Sequence, residues 1–180
     1  KGRYLMKSGT KYFVWVSAVL ILVNMYLIFV VAPPDTTGEA QRIFYLHVPM
    51  AILSFLLFFI VAGLSVWYLI KKSLKVDNLS NAFAEVGLLC VVLALVTGSI
   101  WGRPVWGVWW TWEPRLTTTL ILGMIYVAYV MARAYTENQQ KSAKVASVLG
   151  IIGGINVPIV YYSVKLRSIH PEGTVWELPS

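Results

Sequence analysis

Five separate apolar runs, each near the length needed to cross a bilayer, constrain this chain more than any other feature. A membrane-spanning helix needs about 20 predominantly apolar residues to cover a hydrocarbon core of ~30 Å. The runs are Phe13–Val31, Val48–Ile70, about Phe83–Ile100, roughly Leu116–Ala132 and about Val145–Tyr162. Hydrophobic residues make up 58% of the 180 residues and charged residues 13%, a balance that no single soluble domain shares. The first run follows Lys1, Arg3, Lys7 and Lys11 and ends Val-Ala-Pro-Pro without a small-residue cleavage site, so it reads as a retained helix rather than a signal peptide. Pro49 falls in the first turn expected for the second span, where a missing N–H costs little. Gly150 and Gly154 give the fifth span the small-xxx-small spacing of closely packed membrane helices. Asn156 and Pro158 then soften its second half, and Asn24 and Asn156 are expected to hydrogen-bond between helices. No repeat or low-complexity tract divides the chain. The expectation is an all-α, multi-pass transmembrane helix bundle forming one domain over residues 1–180.

The net charge of +7 is a matter of topology, not of nucleic-acid binding, because the cations sit in short loops between apolar runs. With a cytoplasmic N-terminus, the inner segments hold Lys1, Arg3, Lys7, Lys11, Lys71, Lys72, Lys75, Arg133, Lys141 and Lys144. The outer segments hold only Arg42, Arg103, Arg115, Lys165 and Arg167. That bias follows the positive-inside rule. It puts the loop ending at His47, the loop after the third span and the tail carrying His170 on one outer face. Cys90 is the only cysteine and lies inside an apolar run, which excludes an intrachain disulfide, a C-x-x-C redox site and covalent c-type haem attachment.

The loop after the third span is unusual. In WGRPVWGVWWTWEPRLT, residues 101–117, five of the chain's eight Trp fall within twelve residues: Trp101, Trp106, Trp109, Trp110 and Trp112. An interfacial aromatic belt accounts for one or two Trp per helix end. Trp106, Trp109 and Trp110 have the i, i+3, i+4 spacing of one helix face, with Pro104 suited to a first turn and Pro114 ending any such helix. This predicts a short amphipathic helix lying flat on the outer face, its aromatic side a broad apolar platform. The only two histidines, His47 in YLHVP and His170 in SIHPE, share that face. Neutral imidazole ligates haem iron, and a flat macrocycle lies well against indole rings. Arg42, Arg103 and Arg115 are candidate contacts for haem propionates, since guanidinium pairs with carboxylate in a bidentate way. For Glu113, orienting the loop and pairing with an Arg both remain open.

The Trp-rich segment, together with RIFYLHVPMA around His47 and with His170, closely resembles the signature of the haem-handling proteins, and within them the CcmC, or haem exporter protein C, family of cytochrome c maturation. The resemblance covers nearly the whole chain. It implies haem b held at the outer, periplasmic face of the bacterial inner membrane by His47 and His170 as axial ligands, against Trp101, Trp106, Trp109, Trp110, Trp112 and Glu113. It further implies delivery to a membrane-anchored haem chaperone, with ABC-transporter subunits as partners in the complex, and a sixth span after the second histidine. Glu113 stands where the family usually has Asp, and Pro114 where a small residue is common. The W-acid-Pro step also occurs in the haem-handling subunit of a cytochrome c synthetase, which is the alternative resemblance.

Other function classes fit less well. A proton or ion transporter needs ionisable groups in mid-membrane, and only Glu85 comes near, towards the inner end of its span. A purely structural subunit leaves the paired histidines and clustered Trp without a purpose. A b-type electron carrier places its histidines within spans, whereas both here are expected at span ends. No nucleophile–base pair is present to make bonds, so the chain does not read as an enzyme.

Overall fold

The computed structural model describes residues 8–33 and 38–163, and His170 lies outside them. The described residues form five helices: α1, Ser8–Tyr26, prolonged by a π-helical turn over Leu27–Val31; α2, Gln41–Lys71; α3, Leu74–Trp106; α4, Pro114–Tyr135; and α5, Gln139–Ser163. All five are long and apolar enough to cross a membrane, as expected of an integral membrane protein. α2 and α3 have 31 and 33 residues, or about 46 and 50 Å at a rise of 1.5 Å per residue, so both reach beyond the hydrocarbon core. Lys72 and Ser73 alone separate them. Lys72 takes the left-handed conformation (φ 53°) and its N–H closes on Tyr68 O at 2.7 Å.

The helix ends depart from the expected boundaries in two informative places. Residues 41–46 were expected in a polar loop, but α2 already begins at Gln41 through i→i−3 bonds such as Gln41 N–H to Gly38 O at 3.2 Å. Phe44 and His47, one turn apart, both pack towards α3, and these contacts carry the helix outward. Pro49 therefore lies inside α2 and not in its first turn.

The second departure is at the Trp-rich segment, where the expected short amphipathic helix does not form. α3 instead continues past Ile100 to Trp106, with Pro104 in its last turns, because Trp101 and Gly102 are buried and hold it against its neighbours. Gly107, at φ +78°, then terminates it with its N–H on Arg103 O at 3.1 Å, a conformation that a Cβ would penalise. Pro114 opens α4 as its first residue, and residues 107–113 between the two helices are irregular. Trp106, Trp109 and Trp110 consequently do not share a helix face.

In lipid the driving force for packing is close van der Waals contact and interhelical hydrogen bonding, not escape from water. The small residues show it. A Cβ on Gly154 would meet Ala62 Cβ at 2.4 Å, and one on Gly150 would meet Ser65 Oγ at 2.5 Å, so the expected Gly150/Gly154 pair does set α5 directly against α2. Phe58 of α2 stacks on Tyr126 of α4 at 3.6 Å between centroids, and Val61, Ala84, Val91, Leu122, Tyr129, Ala146, Val157 and Val160 complete a core drawn from α2–α5. Asn156 Nδ2 donates to Thr118 O at 3.0 Å and ties α5 to α4, the interhelical role expected of it. α1 stands apart: no residue of Ser8–Tyr26 is buried, and its apolar surface is left for lipid. It is tethered near its end, where Ile28 is buried, the Arg42 guanidinium donates to Phe29 O, and a cavity of about 240 Å³ opens between Asn24, Leu27, Ile28, Ala32 and Tyr45.

The α2–α3 and α4–α5 turns meet at one end of the bundle. There Arg133 grips Asp77 with two hydrogen bonds of 2.6 and 2.9 Å, and Asp77 is only 1% exposed. Tyr129 O–H reaches Ser80 Oγ at 3.3 Å and Tyr68 O–H reaches Gln140 O at 3.4 Å. The opposite end carries the residues singled out in the sequence.

Candidate functional site

His47 is the best-defined member of the site. It sits on the seventh residue of α2, inside the helix rather than at its mouth, half-buried against α3. Its Nδ1 lies 2.9 Å from Ala94 O and 3.2 Å from Thr97 Oγ1. A carbonyl oxygen only accepts, so Nδ1 carries the proton. The Thr97 hydroxyl already donates to Leu93 O at 2.6 Å, which leaves its oxygen to accept from the same N–H. In the neutral ring Nε2 is then an unprotonated nitrogen, the form that ligates a metal.

From His47 an aromatic chain runs across the end of the bundle. Phe44 tilts against the imidazole at 6.2 Å, meets Trp101 edge-on at 4.7 Å, and Trp101 meets Trp106 edge-on at 5.1 Å. Such T-shaped pairs add about 0.5–1.5 kcal/mol each beyond area burial. Trp101 is buried (7% exposed) and therefore belongs to the packed wall more than to any open platform. Trp110 and Trp112 form a second edge-on pair at 5.8 Å, and Trp109 and Trp112 are the exposed indoles, at 58% and 75%. The five Trp thus divide between wall and rim.

The three arginines also separate. Arg42 is engaged locally, its guanidinium donating to Phe29 O and pairing with Glu39 at 2.8 Å. The Arg103 guanidinium donates to Gly107 O and braces the end of α3. Arg115, in the first turn of α4, is half-buried and interacts electrostatically with His47, Glu113 and Tyr161. It is the arginine that the fold brings to the histidine. Glu113 occupies the position that caps α4, with a buried side chain; its carbonyl accepts the Thr117 N–H at 3.0 Å. Its charge interacts electrostatically with Arg115.

Among the described residues, most buried side-chain polar atoms without a hydrogen-bond partner lie at this end: Gln41 Oε1, Trp101 Nε1, Trp110 Nε1, Thr111 Oγ1 and Thr117 Oγ1, with Arg42 Nε, which is ion-paired to Glu39; Ser65 Oγ, packed against Gly150 of α5, lies away from it. Most buried polar groups in proteins are satisfied, so a group of unsatisfied ones at one end calls for a partner such as water, an ion or a ligand. Two indole N–H donors, two hydroxyls and a guanidinium suit a ligand that carries carboxylates. No cluster of three or more His, Cys, Asp or Glu that would hold a free metal ion occurs among the described residues. Haem iron, held by its porphyrin, needs only one or two axial nitrogens, and His47 Nε2 fits that need.

Sequence reasoning missed Phe44, Thr97, Gly98 and Ala94. Phe44 was findable, since it lies three residues before His47 on the same helix face. The glycine in LVTGS, inside an apolar run, was the other visible signal, because such a residue marks close approach by a neighbour.

The family model described as Heme exporter protein C matches residues 3–179. The chain is 41% identical over 147 residues to a ccmC-like mitochondrial protein of Marchantia polymorpha, covering 81% of this chain and 62% of that one. It is 38% identical over 151 residues to Heme exporter protein C of Escherichia coli K12 (83% and 61%), and 34% identical over 169 residues to that of Bradyrhizobium diazoefficiens (91% and 64%). The chain thus spans a little over three-fifths of the length of these relatives. A match over nearly every residue, at these identities, means that the chain belongs to the Heme exporter protein C family.

Proposed function

We propose that this chain handles haem for cytochrome c maturation, holding it at the outer, periplasmic end of the bundle and passing it to a membrane-anchored haem chaperone. The names of its relatives point to haem export and cytochrome c biosynthesis. The single observation that carries the reading is the state of His47: Nδ1 is committed to Ala94 O, and Nε2 is left for iron beside a wall of aromatic rings. Haem is the cargo here. His47 supplies one axial nitrogen and His170, in the tail, the other; Arg115 takes a propionate; Trp106, Trp109, Trp110 and Trp112 provide the apolar rim on which macrocycle and chaperone rest. No side chain makes or breaks a covalent bond in this scheme. ABC-transporter subunits complete the complex, and the bacterial inner membrane is its location, with the N-terminus cytoplasmic.

The test is the optical spectrum of the purified chain titrated with haem. The wild type is expected to develop a Soret band that His47→Ala shifts and weakens and that added imidazole partly restores. A spectrum identical in wild type and His47→Ala would mean that the iron is held elsewhere. Thiol labelling of single cysteines placed at 109 and at 138 settles the side: label entering from outside at 109 and not at 138 supports the proposed orientation, and the reverse overturns it.

A further inference from the structure

The pocket that holds His47 is itself built from α3, and its shape depends on one missing side chain. Ala94 and Gly98 stand one turn apart, so the Ala94 carbonyl already accepts in the helix and has a second lone pair to offer. The His47 ring lies over that carbonyl only because Gly98 leaves its flank open. A Cβ at position 98 would fall 2.9 Å from His47 Cε1 and 3.3 Å from Nδ1. Both are atoms of a rigid ring, not the far end of a flexible chain, so the ring would have to withdraw from α3. Withdrawal breaks the contact with Ala94 O at 2.9 Å and the contact with Thr97 Oγ1 at 3.2 Å together. Thr97 acts in the same direction from the other side. Its hydroxyl can donate back to helix carbonyls, Leu93 O at 2.6 Å and Ala94 O at 3.3 Å, so its oxygen offers a lone pair to Nδ1 and favours the tautomer with the proton there.

We propose that Gly98 and Thr97 are positioning residues that hold His47 as the Nδ1–H tautomer, aiming Nε2 at the ligand. This rests on the haem reading for what Nε2 meets, but the seating of the ring is a property of the empty chain and is read without haem. The chain has two histidines, so a His170→Ala background leaves one imidazole to observe. In that background, nitrogen-15 NMR of histidine-labelled, haem-free protein in nanodiscs is expected to report a protonated Nδ1 and an unprotonated Nε2. Gly98→Ala is expected to mix the tautomers and to lower haem affinity about 10–100-fold, the usual effect of losing the group that orients a ligating histidine. Thr97→Val, nearly isosteric and without the acceptor, moves both readouts in the same direction by less, and Thr97→Ser restores them. Should Gly98→Ala fail to insert, the Thr97 pair carries the test. A protonated Nε2 in the starting protein, or tautomer and affinity unchanged in both Gly98→Ala and Thr97→Val, overturns the proposal. An Nδ1–H signal that Gly98→Ala abolishes, in a chain whose wild type develops no Soret band, keeps the seat and overturns the haem reading alone.

Discussion

The two ends of this bundle solve opposite problems with similar materials. At the end with the α2–α3 and α4–α5 turns, Asp77 and Arg133 close on each other in a bidentate pair, and Tyr129 and Tyr68 each find an acceptor. Arg133 also lies over the Tyr129 ring at 6.0 Å. At the His47 end, two indole N–H groups and two threonine hydroxyls are buried without a hydrogen-bond partner, two further indoles are exposed, and Arg115 interacts electrostatically with His47. A closed end fixes the helices. An open end leaves donors without a partner in the protein. The difference teaches that polar groups in a membrane bundle are not alike: those at the Asp77 end satisfy one another, whereas several at the His47 end have no hydrogen-bond partner within the protein.

The largest effect on stability is expected at the Asp77–Arg133 end. Asp77→Ala leaves Arg133 uncompensated and is expected to cost about 3–5 kcal/mol, read as loss of folded protein in a detergent-solubilised unfolding assay. Replacing both members with similar-sized apolar residues should recover most of that loss. Next comes the core beneath Tyr126. A Cβ on Gly153 would lie 2.4 Å from Tyr126 Cε2, so Gly153→Ala is expected to cost about 1–3 kcal/mol by overpacking. His47→Ala removes one hydrogen-bonded ring and should cost only about 0.5–1.5 kcal/mol of stability in the absence of haem. Its main effect is on haem binding. The smallest stability effect is expected at the rim: Trp109→Ala and Trp112→Ala change stability by less than about 0.5 kcal/mol while lowering the haem recovered on the chaperone in a co-purified complex. A rim substitution that unfolds the protein as readily as Asp77→Ala would erase the distinction between the ends.

The sequence made the spans legible because lipid imposes one requirement, an apolar run long enough to satisfy its own backbone, and nothing else in a chain imitates it. The Gly150/Gly154 contact was legible for a related reason, since close helix approach in lipid needs small residues at that spacing. The fate of the Trp-rich segment was not. A face drawn at i, i+3, i+4 from Trp106 assumes a continuous helix, and Gly107 interrupts it one residue after Trp106. Nor could periodicity separate Arg115 from Arg42 and Arg103. All three stand near helix ends on the same side of the bundle, and only the fold reveals which guanidinium interacts electrostatically with His47 and which brace backbone carbonyls. The Asp77–Arg133 pair escaped notice because the two are 56 residues apart and each resembles an ordinary interfacial charge when read alone.

The claim that one end holds the fold and the other holds the guest is tested most directly by the stabilisation that haem confers on melting. A ligand that binds only the folded state raises stability by about 2.7 kcal/mol at a hundredfold excess over its dissociation constant. Purified wild type, His47→Ala and Asp77→Ala are melted with and without haem. The account predicts that Asp77→Ala starts low yet gains as much from haem as the wild type, while His47→Ala starts close to the wild type and gains little. A full gain in His47→Ala, or a gain lost in Asp77→Ala while the folded protein is still present at the start of the melt, would contradict it.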